Sequence, residues 1–415
     1  MILPRLALRN VLRQKRRTLL TLLVLVAGFV ALALAGGFMT QTFQGLADAA
    51  IQGGLGHVQI LPRGGLDGDE GRSLEHALPD GEALAGRLRR DPAVAEVLPR
   101  IEFMGLASSG ARSVAFLGTA VDPAREPRFM AMSDRLADGA KAPGGAGSRW
   151  LSADPGAREV VVGTGLARSL GLAVGDSLTL MSTTADGALN AVDVEVIGLE
   201  DLGVKELNDR SLCVSLDTGS TLMNAGPARS RLSVVLRRPQ DAARECPRLA
   251  ALAGNGAEAR PWFELASFYR QVKLLYYAIF GFMGLVLALV VLLATANTLL
   301  MSVMERLREL GTLRAVGMRP GSLMALLQWE GALLGIAGSL AGLGITLVLR
   351  AALNALHLQM PAPPGSSHGY ELHIHLVPLV YLGTFLGLQA VIQASAFFPG
   401  LKAARIRITE ALRHV

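Results

Sequence analysis

The sequence predicts a membrane α-helical protein: four transmembrane helices carrying a large α+β extracytoplasmic domain. Three observations predict it. Four apolar runs have membrane-spanning length, basic residues gather at one end of each run, and one long mixed stretch, residues 41–268, separates the first run from the second.

A bilayer core about 30 Å thick takes roughly 20 apolar residues as helix, because backbone groups surrounded by lipid must satisfy one another. Runs 18–39, 274–303, 323–349 and 376–398 meet that requirement, with Glu330 the one charged residue inside them. They set spans at 18–40, 269–303, 321–350 and 376–399. A chain that is 51% hydrophobic yet 18% charged fits a membrane protein with a sizeable folded part outside the lipid.

Orientation follows from the rule that basic residues flanking spans stay cytoplasmic. The first segment, 1–17, carries Arg5, Arg9, Arg13, Lys15, Arg16 and Arg17 without an acid. The loop 304–320 carries Arg306, Arg308, Arg314 and Arg319, and the tail 400–415 carries Lys402, Arg405, Arg407 and Arg413. All three therefore belong on the inner side, with both termini, while 41–268 and a second loop, 351–375, lie outside. Ala33-Leu34-Ala35 resembles a signal-peptidase site, but the run is long for a cleaved leader, and retention as an anchor is favoured. Arg5, Arg9, Arg13 and Arg16 recur at helical spacing opposite Leu3, Ala7, Leu8, Val11 and Leu12, the pattern of an amphipathic helix on the inner leaflet. The net charge of +6 flanks membrane helices instead of forming an aromatic-studded patch, which argues against nucleic acid as partner.

Outside the membrane, the first and last parts of 41–268 share one pattern. Strand 57–61, helix 81–90 and strand 94–101 are matched by strand 231–238, helix 241–252 and strand 258–265. Two such units make a small helix-covered sheet. Between them, 102–223 reads as a mostly β insertion with strands at 113–121, 159–163, 177–181, 193–199 and 211–216. The Gly-rich stretches 64–72 and 138–148 read as loops.

Catalytic and cofactor motifs are missing: the sequence has no GxxxxGK[ST] cradle, HExxH, GxSxG or CxxC. We expect no enzyme and no cofactor in this chain. His368, His373 and His375 in the outer loop lack a clear fourth ligand for a metal, so none is expected. Cys213 and Cys246 fall on the outer side, where a disulfide is chemically open to them, although Cys213 sits in a strand pattern typical of core.

The loop 304–320 places Glu305 one turn from Arg308 and Arg306 one turn from Glu309, which supports a short helix. Gly311, Ala315 and Gly317 leave room for a close neighbour, and Arg314 and Arg319 offer directional donors. The segment reads either as a docking helix or as a solvated turn. Gly331, Gly335, Gly338 and Gly342 form one stripe on the third span, and Gly383 and Gly387 begin a second on the fourth; both read as helix packing. Asn297, Glu330, Gln389 and Gln393 are intramembrane polar groups expected to face protein or water, through interhelix hydrogen bonds.

The stretch from Asn297 to the glycines after Glu330 resembles the signature of the macrolide-exporter (MacB), lipoprotein-releasing (LolC/LolE) and FtsX-type ABC transporter permeases. Segments 159–180 and 398–413 resemble that family's extracytoplasmic core motif and its C-terminal ending. The layout is closest to the lipoprotein-releasing type. The resemblance implies that Glu305, Arg306, Arg308, Glu309, Gly311, Leu313, Arg314, Ala315 and Gly317 couple to a cytoplasmic ABC ATPase subunit that holds ATP and Mg. It further implies a dimer with a second permease copy or paralogue, a periplasmic carrier or adaptor, and a lipophilic or lipidated cargo in a bacterial inner membrane. Two rivals are an FtsX-like signal transmitter acting on an extracytoplasmic hydrolase and MacB-like efflux of small molecules or peptides. Only 182–191 separates the GD motif from the next strand, so the long hairpin with which some members capture a lipoprotein chaperone is not expected.

Overall fold

The computed structural model describes residues 2–13, 15–64, 77–129, 136, 147–202, 205–360 and 370–405. Most of the Gly-rich stretches 64–72 and 138–148, together with His368, Arg407 and Arg413, lie outside them. In chain order the main elements are α1 (Ile2–Arg13), α2 (Lys15–Ala50), β1 (Val58–Pro62), α3 (Gly81–Leu88), β2 (Val94–Ser108) and β3 (Ser113–Val121). There follow β4 (Glu159–Gly163), α4 (Thr164–Leu170), β5 (Ser177–Thr183), β6 (Leu189–Glu200), β7 (Ser211–Ser215), α5 (Leu216–Met223), β8 (Arg231–Leu236), α6 (Ala242–Ala253) and β9 (Ala257–Pro261). The chain continues with α7 (Ser267–Glu305), α8 (Leu307–Ala315), α9 (Pro320–Ala355) and α10 (Pro378–Arg405). Two compact units result: 1–44, 272–359 and 371–415 form one, 45–271 and 360–370 the other.

The helical unit contains the membrane candidates. α2, α7, α9 and α10 are each long and apolar enough to cross a bilayer. The 39 residues of α7 make about 58 Å of helix at 1.5 Å per residue, well beyond a hydrocarbon core. Leu25, Phe29, Val291, Leu334, Tyr381, Leu388 and Ile392 pack into the unit's core, whereas Leu274, Leu285, Leu289 and Leu293 stand exposed along α7. Exposed leucines on this scale fit a helix solvated by lipid.

The other unit is built on nine strands in the order β3-β7-β4-β6-β5-β2-β8-β1-β9, with a further β2–β3 pairing. The extra pairing closes β2, β3, β7, β4, β6 and β5 into a ring. Phe103, Phe116, Val162, Leu178, Leu180 and Leu212 fill it. The three remaining strands, β8, β1 and β9, extend from the first half of β2 under α3 and α6, and this part buries Ile60, Leu84, Leu88, Val97, Val234 and Leu249.

The boundary read at residue 102 falls within β2, next to the point where that strand changes neighbours. Val94–Arg100 pairs with β8, and Ile101–Ser108 pairs with β3 without a break in the strand. The expected insertion is therefore continuous with its host, because one extended backbone can exchange hydrogen-bonding neighbours along its length. Arg100, at the exchange point, forms an ion pair with Glu126, and both side chains are buried. Gly105 is paired on both edges, to β3 and to β5; a Cβ there would collide with the Met181 carbonyl oxygen. The last strand also ends sooner than the pattern 258–265 suggests. Pairing stops at Val58 with Pro261, and Trp262–Leu265 turns into a short helix.

Candidate functional site

α8 forms between two breaks. Arg306 leaves helical geometry at φ −104°, ψ 15°, which separates α8 from α7. Gly317 at φ +105° ends it in backbone that a side chain rarely tolerates. Met318 then donates its N–H to the Leu313 carbonyl at 3.0 Å, and Pro320 starts α9 at a position where its missing N–H costs nothing.

One face of α8 is built into the bundle. Leu310 packs with Val303, Leu323, Leu327 and Ala403, with Leu313 and Met318 at the edge. The other face is turned outward: Arg308, Glu309, Thr312, Ala315 and Gly317 are exposed, and Val316 is 89% exposed. Of the residues read as coupling positions, Glu305, Arg308, Glu309, Ala315 and Gly317 thus face outward. Leu313 and Arg314 are half-buried, and Arg306 and Gly311 are buried. Arg314 donates to the Ala404 carbonyl of α10 at 3.1 Å, so it ties α8 to a helix end.

An ionic cluster lies behind this helix. Arg306 and Glu330 are 9% and 4% exposed, and Arg306 Nη1 donates to Glu330 Oε1 at 3.0 Å. Asn10 Nδ2 of α1 donates to the same oxygen at 2.6 Å. Arg306 Nε reaches Glu309 at 3.2 Å, Arg13 reaches Glu309 at 2.5 Å, and Arg17 grips both oxygens of Glu305 at 2.8 and 2.6 Å. The one-turn pair read between Glu305 and Arg308 is therefore replaced: Glu305 is claimed by Arg17, whose planar fork fits two carboxylate oxygens. Hydrogen bonds from Arg13, and then from Arg306, hold the Glu309 carboxyl below the usual carboxylate range against its partial burial.

The energies are unequal. The exposed pairs to Arg13 and Arg17 contribute about 1 kcal/mol or less each. Removing one member of the buried Arg306–Glu330 pair strands the other at a cost of about 3–5 kcal/mol. This pair with its Asn10 donor is the anchor by which α1, α8 and α9 are held together. Sequence reasoning missed Asn10; its only trace is an amide on the arc of Ala7 and Val11.

The glycine stripe of α9 serves two neighbours. Cβ atoms at Gly331 and Gly335 would meet Ile392 and Gln389 of α10, and at Gly338 and Gly342 they would meet Leu25 and Phe29 of α2, at 2.7 and 2.8 Å. The second stripe is corrected: a Cβ at Gly383 or Gly387 would meet nothing within 4 Å. Both line an open groove between α2, α7 and α10 instead of a helix contact. Gln389 lies against Gly335, the Gln393 carbonyl accepts from Gln328 at 3.4 Å, and Asn297 is exposed on α7. Among the described residues no three metal-ligating side chains converge, although the rings of His373 and His375 stand 5.2 Å apart. Cys213 and Cys246 are both buried thiols, in separate cores and not joined in a disulfide.

Two family profiles match the chain: the MacB-like periplasmic core domain over residues 18–245, more than half of it, and the FtsX-like permease C-terminal over 281–408. The chain belongs to the MacB/FtsX-type family of ABC transporter permeases. The second profile contains α8 and the buried Arg306–Glu330 pair of this permease. The permease is 27% identical over 197 residues to the lipoprotein-releasing system transmembrane protein LolC of Neisseria meningitidis serogroup B, covering 45% of this chain and 47% of that one. It is 25% identical to LolC of Xylella fastidiosa over 344 residues, 78% of this chain and 79% of that one. The match thus spans about half the length of the first relative. The periplasmic region of MacB from Actinobacillus actinomycetemcomitans aligns with 51% of the permease and 92% of its own length, at 12% identity and a TM-score of 0.35.

Proposed function

We propose that this permease works as a dimer with a second copy or a paralogue in a bacterial inner membrane. Both termini are cytoplasmic, and a separate ABC ATPase subunit, which holds ATP and Mg, seats on α8. The stroke is carried outward to extract or export a lipophilic or lipidated cargo such as a lipoprotein. One observation carries the reading: α8 is two-sided. Its inner face is locked to α7, α9 and α10 by Leu310 and its neighbours. Its outer face presents Arg308, Thr312 and the 89%-exposed Val316 to a partner. A helix rigidly tied on one side and free on the other passes a push on to whatever it is tied to.

Reconstitution with the cognate ATPase tests this. Arg308→Glu and Val316→Asp alter only the free face, so the permease stays folded while its stimulation of ATP hydrolysis falls. Unchanged stimulation in both variants would remove α8 as the docking helix. Gly311 and Arg314 are poor probes by comparison, since one is buried and the other holds the Ala404 carbonyl.

A second reading has its own support. The β5–β6 hairpin turns tightly, with Thr184 and Ala188 joined by an N–H to carbonyl bond at 2.8 Å. Such a turn offers no projecting arm to capture a cargo carrier, which favours MacB-like efflux or FtsX-like signalling over hand-off to a carrier. Release of a lipidated cargo from proteoliposomes separates transport from signalling.

A further inference from the structure

A groove between α7 and α10 holds a combination of groups that the coupling mechanism does not use. Its volume is about 780 Å³. Leu300 of α7 and Phe398 and Leu401 of α10 supply apolar wall, while Asn297, Lys402 and Arg405 supply the polar part. Volumes of this size accept a ligand of lipid-fragment dimensions. Lys402 and Arg405 lie one turn apart on α10, both exposed, and among the described residues neither has an acidic partner within ion-pair distance. None of the residues lining the groove is acidic.

Asn297 sharpens the case. Its amide is exposed on a helix whose neighbouring surface is leucine and phenylalanine, and no described residue hydrogen-bonds to it. An amide facing lipid is costly unless something satisfies it. It lies eight residues before the end of α7 at Glu305, about 12 Å along the helix at 1.5 Å per residue. Asn297, Lys402 and Arg405 nevertheless line one groove, so the long side chains of the two cations and the amide can engage one lipid.

We infer that this groove is a binding site for one anionic phospholipid, its phosphate held by Lys402 and Arg405, its ester region by Asn297, and an acyl chain along Leu300 and Phe398. Basic pockets between membrane helices select anionic headgroups. A second copy of the chain is the weaker occupant: an isologous contact through this face would set Lys402 and Arg405 against the same two cations. The inference goes beyond the transport reading and requires only that α7 and α10 lie in a membrane.

The test uses the full-length chain in a neutral detergent and counts retained lipid by native mass spectrometry. The probes are phosphatidylglycerol, phosphatidylcholine and soluble glycerol 3-phosphate. Phosphatidylglycerol is expected to stay bound and phosphatidylcholine to wash off. Lys402→Gln with Arg405→Gln should weaken phosphatidylglycerol retention about 20- to 30-fold, and Asn297→Leu should weaken it less. All three positions are exposed, so thermal unfolding of the variants should match that of the parent. Equal retention of phosphatidylcholine, competition by glycerol 3-phosphate, or undiminished binding in the double variant each overturns the site. So does an Ala296→Cys variant that crosslinks to its own copy through the groove.

Discussion

Arg306 and Glu330 meet at 3.0 Å with both side chains nearly out of contact with solvent, although 24 residues separate them along the chain. One sits in the break between α7 and α8 and the other on α9, so the ion pair ties the start of the short helix to α9. Asn10 donates to the same carboxylate oxygen and adds α1 to the assembly.

The first prediction concerns this pair. Glu330→Ala leaves a buried guanidinium without its anion and should lower the stability of the membrane unit by about 3–5 kcal/mol. Replacing both partners, as Arg306→Met with Glu330→Leu, removes the stranded charge and should recover most of that loss. Thermal unfolding in detergent measures both. A double variant no more stable than Glu330→Ala alone would mean that the pair is not the anchor described here. In proteoliposomes with the ATPase, the double variant should remain folded yet transport poorly, since α8 then lacks its buried ionic tie to α9 and keeps only apolar packing, the Arg314–Ala404 hydrogen bond and the exposed Arg13–Glu309 pair.

A second prediction separates the two glycine stripes. Gly342→Val and Gly338→Leu push atoms into Phe29 and Leu25, where a Cβ alone already approaches to 2.8 and 2.7 Å. Overpacking of that kind costs about 1–3 kcal/mol. Gly383→Leu enters open space and should leave unfolding of the monomer unchanged. Equal destabilisation by all three would contradict the assignment of α9 as the packed stripe and α10 as the open one.

These contrasts show what the sequence could carry. Apolar run length alone located the four long helices, because lipid imposes one requirement on every residue of a span. Short β-prone runs bounded by turn residues located β3 and β4, whose bounds in the fold, Ser113–Val121 and Glu159–Gly163, equal those read from the sequence. Three things were hidden. A strand's pattern states that one face is buried but not which strand lies beside it, so the run of β2 past Ile101 to Ser108 left no mark. Local spacing likewise allowed Glu305 to pair with Arg308, whereas the stronger partner, Arg17, lies 288 residues away. The glycines of α10 had the same spacing as those of α9, and spacing cannot say which face of a helix meets a neighbour.

The third prediction is a pH dependence in the extracytoplasmic unit. His57 is buried, and its Nδ1 accepts the Leu236 N–H at 2.9 Å. Burial lowers its pKa from the ordinary 6.5, with nearby Asp48 opposing the shift. The unfolded chain therefore binds more protons than the folded one below about pH 6.5. The stabilising contribution is complete above that pH and declines as pH falls through it. Protection of the Leu236 amide, taken relative to its intrinsic exchange rate, should fall between about pH 7.5 and pH 5.5. His57→Asn, which keeps an acceptor but does not titrate, should flatten the profile, and an unaltered profile would exclude His57 as its source.

The last prediction concerns the two thiols. Cys213 belongs to a core with Val121, Val161 and Ile197, and Cys246 lies under α6 among Leu88 and Leu249. Burial also pushes the Cys246 thiol pKa up, which reduces the reactive thiolate. A membrane-impermeant maleimide should label neither residue in the native permease and both after denaturation. Mild oxidation of the intact protein should yield no intramolecular disulfide, because each side chain is enclosed by its own set of aliphatic neighbours and a bond requires Cβ atoms about 4 Å apart. Rapid labelling of native protein, or a Cys213–Cys246 peptide in a non-reduced digest, would show that one of these cores opens readily.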